Sequence, residues 1–205
     1  LDRGIIYTVK ELFVKPGRTA REYLMGRRVR HYSIFALFVI VIALKVFVDN
    51  TGGYDLVYTS HDHSPADARA NAALDYYYKL LYFLCIPILS LLTLVLFTKP
   101  RLNYPEHLVA NCFLITAGYL YSLLVSVANF AIDSPYHNLV GIVVLAFIYF
   151  MGLRQFMAPE YGFFAWLWRA LVILMVSAVL FGITIAIFIN IYWGKFEGTI
   201  HFQAS

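Results

Sequence analysis

Five stretches of this chain, near 33–48, 76–98, 107–132, 138–157 and 163–193, are strongly apolar and close to the length that crosses a bilayer as a helix. A backbone in hydrocarbon must satisfy its own hydrogen bonds, so runs of roughly 20 such residues leave helices as the natural solution. The first run is short. Lys45 can snorkel to one interface while His31 and Tyr32 mark the other, which makes the span workable with local thinning of the bilayer. The last run is long and opens on "YGFFAWLWR", whose tryptophans and Arg169 suit an interface ahead of "ALVILMVSAVLFGITIAIFINIYW". Composition agrees, with 61% hydrophobic and 14% charged residues. The expected fold class is therefore an all-α integral membrane protein of five transmembrane helices, preceded by amphipathic cytoplasmic interfacial helices. The expected organisation is a basic arm over 1–31, a transmembrane domain over 32–194 and an external tail over 195–205.

Cation placement predicts the orientation. Arg3, Lys10, Lys15, Arg18, Arg21, Arg27, Arg28 and Arg30 all precede the first run, eight of the sixteen lysines and arginines. Lys99, Arg101, Arg154 and Arg169 fall on the same side if five spans are drawn. The opposite loop 49–75 sets Asp49, Asp55, Asp62, Asp67 and Asp75 against Arg69. The positive-inside rule then places the N-terminus in the cytoplasm and the C-terminus outside. A net charge of +4 spread over two unlike faces points to anionic lipid rather than nucleic acid. No cleavable signal peptide is expected, because the basic arm is long and the run after it lacks a small-residue cleavage site. The start at Leu1 rather than Met leads us to expect further residues upstream. Cys85 and Cys112 lie in apolar runs without metal-ligand spacing and are expected to be small core residues.

The arm is dense in turn chemistry. Asp2 can cap a helix whose apolar positions Ile5, Ile6, Val9, Leu12 and Phe13 recur at helical spacing, with Lys10 and Glu11 opposite. Pro16-Gly17 is expected to end it, and Thr19 with Glu22 to form a capping box for a second helix closed by Gly26. Arg18, Arg21, Glu22, Tyr23, Arg27, Arg28 and Arg30 are the residues expected to meet anionic headgroups or a protein partner. The stretch "LDRGIIYTVKELFVKPGRTAREYLMGRRVRHY" resembles the signature of a family of uncharacterised bacterial multispanning membrane proteins, domain of unknown function 3667, through Asp2, Arg3, Gly4, Pro16, Gly17, Arg21, Glu22, Tyr23, Leu24, Gly26, Arg28 and Tyr32. "YPEHLV", from Tyr104 to Val109, is similar to that family's second motif. The resemblance implies a bacterial inner membrane and, in many members, an upstream zinc ribbon that this sequence does not contain. It implies no reaction.

Several residues carry chemistry worth weighing. In the interface motif Tyr104, Glu106 and His107, Asn103 can cap a helix, Pro105 suits its first turn and Glu106 complements the helix dipole. His107 has no such structural duty, and is expected to bond the arm. Asn111, Gly118, Ser122, Ser126 and Asn129 form a small and polar stripe, either a helix-packing face or a polar path. Ala178, Gly182, Ala186 and Asn190 repeat the spacing in the last run. His61, His63, Asp133 and His137 are weak candidates for a metal. No cofactor is expected, and nothing in the sequence marks an enzyme: no Gly-rich phosphate loop, nucleophile elbow or CxxC is present. The expected function is non-catalytic, that of an accessory or scaffold subunit binding membrane lipids, other membrane proteins or itself through the arm. The alternative is a small transporter or lipid-handling protein with a polar path along the third span.

Overall fold

The computed structural model describes residues 3–27, 31–52, 86–132, 134 and 136–203. It is all-helical over these residues: α1 (Arg3–Val14), α2 (Pro16–Leu24) and α3 (Ile34–Thr51), then α4 (Ile86–Leu96), then α5 (Tyr104–Ile132), α6 (His137–Met157) and α7 (Phe163–Gln203). Among the described residues, four helices are long and apolar enough to cross a membrane: α3, α5, Leu139–Met157 of α6 and Phe163–Leu180 of α7. Of the expected second span, residues 86–98 are described, and Ile86–Leu96 of them are helical. α7 runs unbroken to Gln203, through the boundary expected at 194.

Helix α5 is the axis of the molecule. Every residue from Ala110 to Leu120 is buried, so neighbours surround this helix on all faces. α6 packs against it antiparallel: Tyr149 bonds Asn111, while Gly118 lies so close to Leu145 that an added Cβ would stand 3.0 Å from Leu145 Cγ, and one on Gly141 would stand 3.1 Å from Ser122 Oγ. α3 runs parallel to α5. Its first residue, Ile34, meets Cys112 through a 3.9 Å S–H···O contact, and a turn later Phe38 faces Tyr119 with ring centroids 6.5 Å apart. The stripe Asn111, Gly118, Ser122, Ser126 and Asn129 is buried throughout.

The Lys45 ammonium reaches toward the C-terminal end of α3. The residue is 7% exposed and pairs with Asp49 one turn on, at 2.5 Å. Inside a helix otherwise apolar, a cation one turn from a carboxylate is stabilised more by that partner than by lipid.

The arm folds as two helices joined through Lys15. Pro16 opens α2, a position where its missing N–H costs nothing. The expected capping box at Thr19 and Glu22 does not form. Thr19 is buried in the second turn with its hydroxyl donating to Lys15 O at 2.9 Å, and Glu22 pairs with Arg27 at 3.2 Å. Gly26, at φ 98°, follows α2 in the left-handed region that favours glycine. The buried face of α1 also differs from its hydropathy pattern. Ile6 is exposed, whereas Thr8 is fully buried because its hydroxyl donates to Gly4 O at 2.8 Å and accepts Tyr32 N–H at 2.9 Å. The expected apolar positions Ile5, Val9, Leu12 and Phe13 do pack inward, and contact with the chain just before α3 adds Thr8 to that face.

Candidate functional site

The arm meets the bundle at a junction built from four separate stretches. α2 approaches α6 at two glycines. A Cβ on Gly17 would stand 2.7 Å from both Gln155 Cβ and Phe156 N and closer still to Gly152 O, and one on Gly152 would stand 2.6 Å from Leu114 Cδ2. Gly17 N–H donates to Gln155 Oε1 at 3.3 Å. One turn later Arg21 reaches past the end of α6. Its guanidinium donates to Phe156 O at 3.0 Å and to both carboxylate oxygens of Glu160, at 3.0 Å and 2.5 Å. This fork geometry suits arginine and not lysine. The Glu160 hydrogen bond holds the Arg21 pKa above its ordinary value.

A cavity of about 170 Å³ opens beside this pair, lined by Arg21, Leu24, Met25, Leu102, Glu106 and Glu160 among others. The arm motif and the Tyr104–Val109 motif therefore converge on one place. Glu106 is the cap of α5: its Oε2 accepts Asn103 N–H at 2.7 Å, the backward half of a capping box.

His107 is 1% exposed and its partner is Thr93 of α4, at 3.1 Å, not the arm. Thr93 donates its one proton to Ser90 O at 3.1 Å and accepts from Asn111 Nδ2 at 2.9 Å. Its remaining lone pair is left for His107, which assigns the ring proton to Nδ1. His107 Nε2 is then an acceptor, buried without a partner among the described residues. Asn111 continues the network, donating to His107 O at 2.9 Å and accepting from Tyr149 at 2.7 Å. Three helices are thereby tied through one amide.

Cations ring Tyr161 just below. Lys99 N–H donates to its hydroxyl at 3.0 Å, Arg154 donates to its carbonyl at 3.2 Å, and Arg169 lies 4.7 Å from its ring centroid while Arg169 Nε donates to Leu96 O at 2.8 Å. On the other side of α2, His31 sits among the rings of Tyr7, Tyr23 and Phe113. Burial lowers its pKa, with Glu11 and Glu22 opposing.

The expected site residues thus divide. Arg21 is half-buried and committed to Glu160. Arg18 and Arg27 are exposed, Tyr23 packs its ring 5.0 Å from Phe113, and Arg28 and Arg30 lie outside the described residues. So do His61, His63 and Asp133, while His137 Nδ1 is 3.1 Å from Ser134 O. Among the described residues no group of three or more His, Cys, Asp or Glu is placed to hold a metal. Sequence reasoning missed Glu160, Tyr161, Thr93 and Tyr149. Glu160 did leave a signal, as the sole acidic residue between Asp133 and Glu197.

Together these features define a helical protein with membrane-compatible spans, clasped at one end by its own N-terminal helices. Residues 2–46 match the sequence profile of a family described as a protein of unknown function (DUF3667), the family whose signature the arm resembles. The match covers α1, α2 and most of α3, and stops short of Tyr104–Val109. No curated protein and no solved structure matches the chain.

Proposed function

We propose that this is a non-catalytic membrane protein of five spans in a bacterial inner membrane, with a cytoplasmic N-terminus, an external C-terminus, and a docked arm that binds anionic headgroups as an accessory or scaffold subunit. The parallel course of α3 and α5 supports a returning span between them, of which α4 is the described part. The observation that carries the lipid reading is the two-sided arm. Its inner face is bonded to the bundle through Gly17, Arg21 and Thr8, while Lys10, Arg18, Met25 and Arg27 are exposed on the outer face. Exposed cations beside apolar side chains fit the headgroup layer, where each Lys or Arg contributes about 1 kcal/mol toward anionic lipid.

A polar path along α5 finds less support. Gly118 and Ser122 are taken up in contact with α6, and Asn111 is saturated by Thr93, His107 and Tyr149. The test is lipid retention by native mass spectrometry from mild detergent, comparing phosphatidylglycerol with phosphatidylcholine. The wild type should prefer phosphatidylglycerol, and joint replacement of Lys10, Arg18 and Arg27 by Gln should weaken that preference by up to about a hundredfold. An unchanged preference in the triple variant would show that these cations do not read lipid charge.

A further inference from the structure

Ring and hydrogen-bond contacts fix how far the arm reaches along the bundle. Tyr7 faces His31 at 5.3 Å and His31 faces Phe113 at 6.3 Å, so this part of α1 is level with the start of α3, where Ile34 meets Cys112. Six residues on, Phe13 packs 5.0 Å from Tyr121 and its carbonyl accepts the Tyr121 hydroxyl at 2.8 Å. α1 therefore climbs alongside α5, in the direction of α3, by about 10 Å at 1.5 Å per residue. α2 then descends, from Pro16 beside Gly152 to Arg21 at Phe156 and Glu160.

α3 has 18 residues, about 27 Å of helix, so it has no length to spare in crossing a hydrocarbon layer of about 30 Å. Reading Leu139–Met157 of α6 as a span too carries the layer down to about Met157, roughly 7 Å past Gly152 and the Pro16 beside it. The corner between α1 and α2 then lies inside it.

We propose that the arm is a re-entrant wedge: its corner at Val14–Pro16 enters the leaflet on the arm's side of the membrane by about 7 Å and lays Val14 against the acyl chains. The proposal rests on reading the four apolar helices as spans.

The chemistry of the corner suits that solvent. Val14 is 66% exposed and Ile6, two turns back on the same stripe, is 57% exposed. Lys10 stands between them, near enough to the shallow end for its stem to carry the charge back to the headgroups. Glu11 and Lys15 pair at 3.1 Å, and the exposed Arg18 in the first turn of α2 has a stem long enough to carry its charge back to the headgroups. Its backbone is largely satisfied from within, as an apolar solvent requires. Pro16 has no N–H, and Gly17 N–H is held by Gln155. Lys15 N–H and Thr19 N–H donate to Glu11 O and Lys15 O, and Phe13 O is taken by Tyr121.

The test uses nitroxide labels on single cysteines at Val14, Met25 and Phe147, in a background with Cys85 and Cys112 replaced by Ala, reconstituted in lipid vesicles. All three positions are solvent- or lipid-facing, at 66%, 68% and 66% exposure, so labelling leaves the packing intact. Relaxation by oxygen and by a water-soluble nickel chelate reports depth. Val14 and Phe147 should favour oxygen several-fold and Met25 should favour nickel. Nickel access at Val14 equal to that at Met25, with Phe147 still favouring oxygen, would place the corner in water and overturn the wedge while leaving the spans intact. Nickel access at Phe147 would overturn the spans and the wedge together.

Discussion

Gly17→Ala separates two effects of opposite sign. If α2 were a free surface helix, alanine would stabilise it by about 0.5–1 kcal/mol through helix propensity. In the docked arm the new Cβ would lie 2.7 Å from Gln155 Cβ and Phe156 N, and nearer still to Gly152 O. None of these atoms is the end of a flexible side chain, so α2 has to move. Overpacking of this kind costs about 1–3 kcal/mol, and the movement also weakens the Gly17–Gln155 hydrogen bond, a loss of about 1 kcal/mol. The expected loss of docking free energy is about 2–4 kcal/mol from these two sources. Hydrogen–deuterium exchange across α2 in lipid nanodiscs reads it directly, because that loss speeds exchange by about 30-fold to 800-fold where local opening limits the rate. Gly182→Ala is the control, since nothing lies within 4 Å of a Cβ there. Exchange in Gly17→Ala that is equal to or slower than wild type would refute the seating of α2 against α6.

Three further outcomes follow from the same geometry. Asn111→Leu strands Thr93 and Tyr149, and should lower stability by about 1–3 kcal/mol, read as a fall in thermal midpoint in detergent. Gly118→Leu should disrupt the α5–α6 contact, where Leu145 stands 3.0 Å from an added Cβ, whereas Gly182→Leu should be tolerated; relative yields of monodisperse protein check the contrast. Because burial depresses the His31 pKa, its contribution to arm docking is complete above the unfolded value of about 6.5 and is lost as pH falls through the lower folded value. The protection of α1 amides, taken relative to their intrinsic exchange rates at each pH, should therefore fall as pH drops below about 6.5, and His31→Phe should remove that dependence.

Hydropathy and local punctuation determined much of this protein. A long apolar run has one economical conformation in lipid, so α3, α5 and α6 lie where composition places them. Asn103, Pro105 and Glu106 act within their own helical turn, which is why the start of α5 is legible from four adjacent residues. Gly26 ends its segment for the same local reason.

Tertiary structure decided everything that depends on which element lies alongside which. Apolarity turns Ile5, Val9, Leu12 and Phe13 of α1 inward, but only the Tyr32 N–H adds Thr8 to that face, while Ile6 is left exposed. Arg21 reads as one cation among eight until Glu160, 139 positions away, claims it. His107 bonds Thr93 across 14 positions. Hydrophobic burial is non-directional and reads from composition, whereas hydrogen bonds and ion pairs are directional and short, and their partners are chosen only when the helices have already packed.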